Sequence, residues 1–300
     1  MKYLLIVVFY FSWSICFSQY ANPNEEMFTS IYEANQYPSK VTQLNLRDRQ
    51  LFYLNDSITQ LHDLRFLNLM NNNLESWSPS LVGLKKIEVL NYCGNNIIEI
   101  PSEIKTQKKL IKLDLGNNSI KRIPAEIGAL KKLKYVYIYL NELEYISPEI
   151  GQCKSLMYLD LHNNQLSFLP ESISQLNSLK SLDIGYNQLK ELNGKWFGFS
   201  SLEELGLESN YIAVIPDEIG YIQTLKSLNL ANNEIETIPS SICELSNLEL
   251  FILSNNQLKK LPENISKLTS LTTLILVGND FPISEKQRIK AALPNCYIAF

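Results

Sequence analysis

Asp160, His162 and Asp183 are the residues of this 300-residue chain whose types and spacing come nearest to chemistry. The two acids stand 23 residues apart, and His162 follows Asp160 at the distance that puts two side chains on one face of a strand. If strands stack one period apart, the carboxyls are roughly 4.8 Å from each other. A retaining glycosidase pair needs about 5–5.5 Å. Such a pair also needs one desolvated acid and excluded water. Any two acids in one column of a repeated sheet share this distance, and no insertion supplies a lid, so no catalytic residue is expected. A cation held by Asp114, Asp160 and Asp183 is not expected either, because Tyr137 interrupts their column. No metal and no other cofactor enters the reading.

The element that must position these residues is a 23-residue unit repeated eleven times without insertion or deletion, beginning at Val41, Leu64, Ile87, Leu110, Leu133, Leu156, Leu179, Leu202, Leu225, Leu248 and Leu271. Residues 110–132 show it whole: LIKLDLGNNSIKRIPAEIGALKK. Positions 3 to 7 alternate across a short strand, one face buried and one open. Pro at position 15 (Pro101, Pro124, Pro170, Pro216, Pro239, Pro262) cannot extend that strand, so the chain turns back. Apolar positions 18 and 21 suit a helical or 3₁₀ turn on the far side. One unit cannot bury its own apolar set, whereas a stack can. Asn at position 9, in every unit but the first, which has Arg49, is read as structural, bonding backbone groups of its own and the next coil.

The unit resembles the leucine-rich repeat with the L-x-x-L-x-L-x-x-N-x-L-x-x-I-P-x-x-I-x-x-L pattern. That pattern is known from Ras-pathway scaffolds, plant disease-resistance proteins and secreted bacterial repeat proteins. The resemblance covers residues 41–281. It implies an α/β solenoid: a curved horseshoe with a parallel concave sheet, a helical, 3₁₀ and extended convex side, and helical caps at both ends. It also implies binding rather than catalysis. Ser78, Ser147 and Asn193 replace the Pro, Gln107 and Cys153 replace the apolar position 21, and the seventh unit carries NGKWFGF at 193–199. These departures bear on local convex geometry, not on the fold.

The ends complete the expected layout. Residues 1–18 read as a cleaved secretory signal, with an apolar run from Tyr3 to Phe11 and small residues Cys16 and Ser18 before the cut. Free secretion and lipid attachment at Cys16 stay open. Residues 19–40 form an N-terminal cap, with a helix over Asn24–Gln36 turning Met27, Phe28, Ile31 and Tyr32 inward. Residues 282–300 form the C-terminal cap: a helix opened by a Ser284-to-Gln287 capping box, then a closing strand. Localisation is therefore secreted or cell-envelope, periplasmic or outer-surface in a bacterium, with no membrane span in the mature chain. Cys93, Cys153, Cys243 and Cys296 are expected as free thiols, since 93, 153 and 243 lie units apart in a rigid stack. The formal charge of −4 becomes −5 when Lys2 leaves with the signal, and no basic stripe exists, so nucleic acid is excluded.

Function is then confined to the open strand positions. The column at position 3 includes Lys112, Tyr135 and Tyr158; position 5 includes Asp114, Tyr137, Asp160 and Asp183; position 7 includes Gly116, Tyr139 and His162. With Tyr186 beside them, six rings gather in three units, whereas units 8 and 9 offer mostly small and acidic groups. Aromatic clusters rimmed by polar residues mark binding sites. The expected ligand-binding residues are Tyr135, Tyr137, Tyr139, Tyr158, Asp160, His162, Asp183 and Tyr186. Leu250, Ile252, Ile275 and Val277 form a second apolar patch near the C-terminal cap. The leading reading is a secreted, monomeric, non-enzymatic scaffold that binds a protein or peptide. The alternatives are a glycan-binding surface protein, or an intracellular signalling scaffold if the N-terminus is not a signal.

Overall fold

Each unit folds as its residue types require. A computed structural model describes residues 21–300; the expected signal, residues 1–18, and Cys16 lie outside them. Thirteen short strands among the described residues, from Met27–Phe28 to Tyr297–Ala299, pair in parallel into one sheet, each beside the strand of the next unit. The register is the sequence period itself: Tyr135 faces Tyr158, which faces Ser181, and Tyr137 faces Asp160, which faces Asp183. Between them, Leu113, Val136, Leu159, Leu182 and Leu205 stack inward and are buried. This is the curved leucine-rich solenoid with a concave parallel sheet.

On the convex side Pro101, Pro124, Pro170, Pro216 and Pro239 sit in extended backbone and hand over directly to a 3₁₀ turn. Pro124, with φ −78° and ψ 164°, precedes the turn Ala125–Ala129, and Ile127 from that turn is fully buried. Where Ser78 and Ser147 replace Pro, the next residue is Pro79 or Pro148, and the turns Pro79–Gly83 and Pro148–Gln152 form as elsewhere. The departure at Asn193 is larger. Its turn, Gly194–Phe197, is one residue shorter and buries Trp196 and Phe197, with the Trp196 indole N–H donating to the Leu169 carbonyl at 3.1 Å.

The position-9 asparagines close each coil onto its neighbours. Asn164 accepts from the Leu143 N–H at 2.9 Å and donates to the carbonyls of Ile138 at 2.7 Å and Leu161 at 2.9 Å. Asn95, Asn118, Asn187, Asn210, Asn233 and Asn256 repeat this pattern. Buried backbone groups between coils thus find partners.

Both caps depart from the expected detail. At the N-terminus the helix shrinks to one turn, Ile31–Ala34. Met27–Phe28 is a strand instead, pairing with Gln43–Leu44, and Tyr32 is 80% exposed. The first coil offers an unpaired sheet edge, and pairing it satisfies more backbone than a longer helix would. At the other end the helix Ile283–Ala292 starts at Pro282 with no side-chain cap. The expected capping box does not form. Glu285 instead accepts the Leu261 N–H at 2.9 Å, and Arg288 donates to the Leu261 carbonyl at 2.8 Å, which pins the helix to the last coil. Ile289 and Leu293 are buried beneath it, and the closing strand Tyr297–Ala299 pairs with Thr273–Ile275. Cys93, Cys153, Cys243 and Cys296 are free thiols. No helix among the described residues is long and apolar enough to cross a membrane.

Candidate concave-face binding site

The open positions of units 4 to 8 build one continuous surface, and neighbouring side chains decide how each residue lies. Tyr139 leans over Gly116, where a Cβ would stand only 2.4 Å from the ring's Cζ, and reaches Cys93 Sγ at 3.4 Å. His162 stacks on Tyr139 with centroids 5.2 Å apart and planes 3° from parallel. Tyr135 and Tyr158 form a second stack at 5.3 Å and 15°. Between the stacks, the Tyr137 ring lies 4.8 Å from Lys112 Nζ. The expected rings thus come together, though as half-buried stacks rather than free faces; Tyr186 is the exception, at 51% exposed.

Lys112 and Asp114 occupy positions that strand alternation leaves open, yet they are only 1% and 4% exposed. Burial lowers the Lys112 pKa to about 8, with Asp114 opposing the shift. Burial raises that of Asp114 to about 7. They form a polar floor beneath the aromatic layer.

The acids follow a different course. The His162 Nδ1–H donates to Asp160 Oδ1 at 2.6 Å, and Asp183 Oδ2 lies 4.0 Å from the same nitrogen. Burial disfavours a charged imidazole, but hydrogen bonding to Asp160 and the charges of Asp160, Asp183 and Glu208 outweigh it, and the His162 pKa rises. Burial, then repulsion from Asp160, lifts Asp183 to about 6. Glu208 is lifted to about 7 by burial and by Asp183. Sequence reasoning missed Glu208 as part of this group. It reaches the acids of units 6 and 7 because Gly185, beneath it in the same column, has no side chain. Asp114, the third acid considered from sequence, does not join them.

A last feature is in the backbone. Position 8 has positive φ in all eleven units, and nine of those residues are Asn, Asp, Ser or Gly. Small polar residues and glycine tolerate this left-handed geometry; large ones are strained in it. The other two are Leu140, φ 51°, and Tyr186, φ 54°, at the rim of the ring cluster and 48% and 51% exposed.

Two family models match consecutive parts of the chain. "Leucine rich repeat" matches residues 108–166, 131–189 and 154–212, and "Leucine-rich repeat region" matches 199–290. The chain belongs to the leucine-rich repeat family. No curated protein matches it by sequence. Among solved leucine-rich repeat structures, one from Leptospira interrogans is 25% identical, with a TM-score of 0.53 over 92% of this chain and 100% of that one. An internalin from Listeria monocytogenes is 25% identical over 91% of this chain and 84% of its own, with a TM-score of 0.66. A plant peptide hormone receptor, RGFR1, solved in complex with RGF2, is 27% identical with a TM-score of 0.64. The match spans 85% of this chain but 46% of the receptor.

Proposed function

We propose that this chain is an exported, non-enzymatic scaffold that binds a protein or peptide on its concave face, centred on Tyr135, Tyr137, Tyr139, Tyr158, Asp160, His162, Asp183 and Tyr186. The observation that carries the reading is the pair Leu140 and Tyr186. At a left-handed position that other units fill with small residues, these two hold large exposed side chains beside the ring stacks. Local backbone strain of this kind concentrates at functional sites. The peptide bound to the similar plant receptor supports the same use of the fold. The leader-like residues 1–18 support export to the cell envelope or medium.

The open face also favours binding over turnover, since no enlarged loop excludes water from the acids. A protein partner is favoured over a glycan because Tyr135 covers Tyr158 and Tyr139 covers His162, which removes ring faces that a sugar would stack on.

The test is affinity capture from the native surface or medium, run with the full chain and a Tyr137→Ala/Tyr139→Ala double variant of unchanged thermal stability. Loss of the captured partner from the variant supports the reading, and equal capture by both sinks it. Competition by soluble oligosaccharides would reassign the face to glycan.

A further inference from the structure

The acidic end of this surface carries more than shape. Asp160 ends the strand Tyr158–Asp160 of unit 6 and His162 follows two residues on, while Asp183 ends the strand Ser181–Asp183 of unit 7. One donor atom from each lies within 4.8 Å of the others. They form a mixed carboxylate and imidazole set, half-buried and open toward the concave side.

A second observation points into the same place. Glu208 Oε2 is buried and accepts no hydrogen bond. Its carboxyl lies on the bare backbone of Gly185, where a Cβ would come within 2.8 Å of Glu208 Cδ. A Cβ on Gly206 would stand 2.9 Å from Asp183 Oδ1 and 3.3 Å from Glu208 Oε2. Two glycines therefore clear the space into which two carboxyls converge. A charged acceptor taken out of water without a donor is costly. The positive partner that the ion pairs of Asp160 and Asp183 offer is His162. With all three carboxyls ionised, the group stays negative even when His162 is charged.

The geometry points to a divalent transition-metal site formed by Asp160, His162 and Asp183, with Glu208 drawn in from beside Asp183. Three carboxylates with one imidazole suit Zn²⁺ or Mn²⁺; an all-oxygen set would suit Ca²⁺ or Mg²⁺ better. The metal takes the place of the His162 Nδ1 proton now donated to Asp160. From the imidazolium that proton leaves to solvent; from the neutral ring it moves to Nε2. Glu208 supplies the oxygen that has no partner in the metal-free chain, and the open concave side leaves a coordination position for water or a ligand. The site stands whether or not the rings bind a protein.

Isothermal titration of the chelator-treated full chain with Zn²⁺, and separately with Mn²⁺, tests it. One saturable site is expected for at least one ion. Binding should weaken by about tenfold or more in His162→Ala and in the near-isosteric Glu208→Gln, and stay unchanged in a Cys93→Ser/Cys296→Ser control. The proposal fails if neither ion binds, if the cysteine control abolishes binding, or if both site variants bind as the native chain does. It also fails if an arginine-rich peptide shows the expected dependence on Glu208 while neither metal does, which would make the cluster a clamp for a partner's guanidinium. Circular dichroism of each variant ensures that a loss is read from a folded chain.

Discussion

Positions 8 and 9 are neighbours in every unit and answer to different demands. Position 9 is Asn in all but the first unit, its amide spent on backbone groups of two coils. Position 8 holds one unusual backbone conformation in every unit but varies in residue type, and it is buried in none of them. The first column cannot vary without loss of stacking. The second can, at a small conformational cost, and at Leu140 and Tyr186 it does. Sites in a repeat fold are therefore sought where local geometry is kept and the residue best suited to it is not.

The sharpest way to break the contrast is Asn164→Ala. It leaves the Leu143 N–H and the Ile138 and Leu161 carbonyls without their side-chain partner in the interior. A loss of about 3–5 kcal/mol is expected, read as a lower denaturant midpoint. A loss below about 1 kcal/mol would show that water replaces the amide.

Glu208→Gln has a smaller, pH-dependent effect. The folded chain raises this carboxyl from 4.5 to about 7. Its contribution is fully present below the unfolded value and is lost as pH rises through about 7, where the ionised group burdens the fold. The Gln variant should match the native chain near pH 4.5 and exceed it by about 1–3 kcal/mol at pH 8, measured by denaturation at both values. An equal gain at both pH values would mean the carboxyl is not the cause.

The smallest effect belongs to Leu140→Asn. Placing a tolerant residue at φ 51° should raise stability by about 1 kcal/mol while weakening partner capture. Higher stability with undiminished capture would show Leu140 to be a tolerated misfit rather than part of the site.

The solenoid was legible in the chain because every core column repeats at one spacing, and a period without gaps leaves one register for the sheet. The ring cluster was legible for the same reason: Tyr135 and Tyr137 share one strand, Tyr139 follows at the same spacing, and the three point one way. How those rings lie was not. Lys112 and Asp114 read as open and are buried, because alternation gives the face of a residue but not the neighbour that folds over it. Glu208 was overlooked among small and acidic groups, though a signal existed. A glycine directly beneath a large residue one period later, as at Gly185 and Glu208 or Gly116 and Tyr139, marks where a side chain can lie down. The N-terminal cap misled for another reason: the apolar spacing of Met27, Phe28 and Ile31 serves a strand followed by a turn as well as a helix, and the open edge of the sheet decides between them.

The unbroken period also acts as a ruler. Since each unit advances the sheet by one strand spacing, roughly 4.8 Å, deleting or duplicating one of units 9 or 10 would move the C-terminal cap by that step and leave the cluster at units 4 to 8 intact. The reach of the concave face is thus graded in whole units, independently of the residues that give it affinity. A lineage could lengthen or shorten its grip on a partner by unequal recombination alone, without redesigning a single contact.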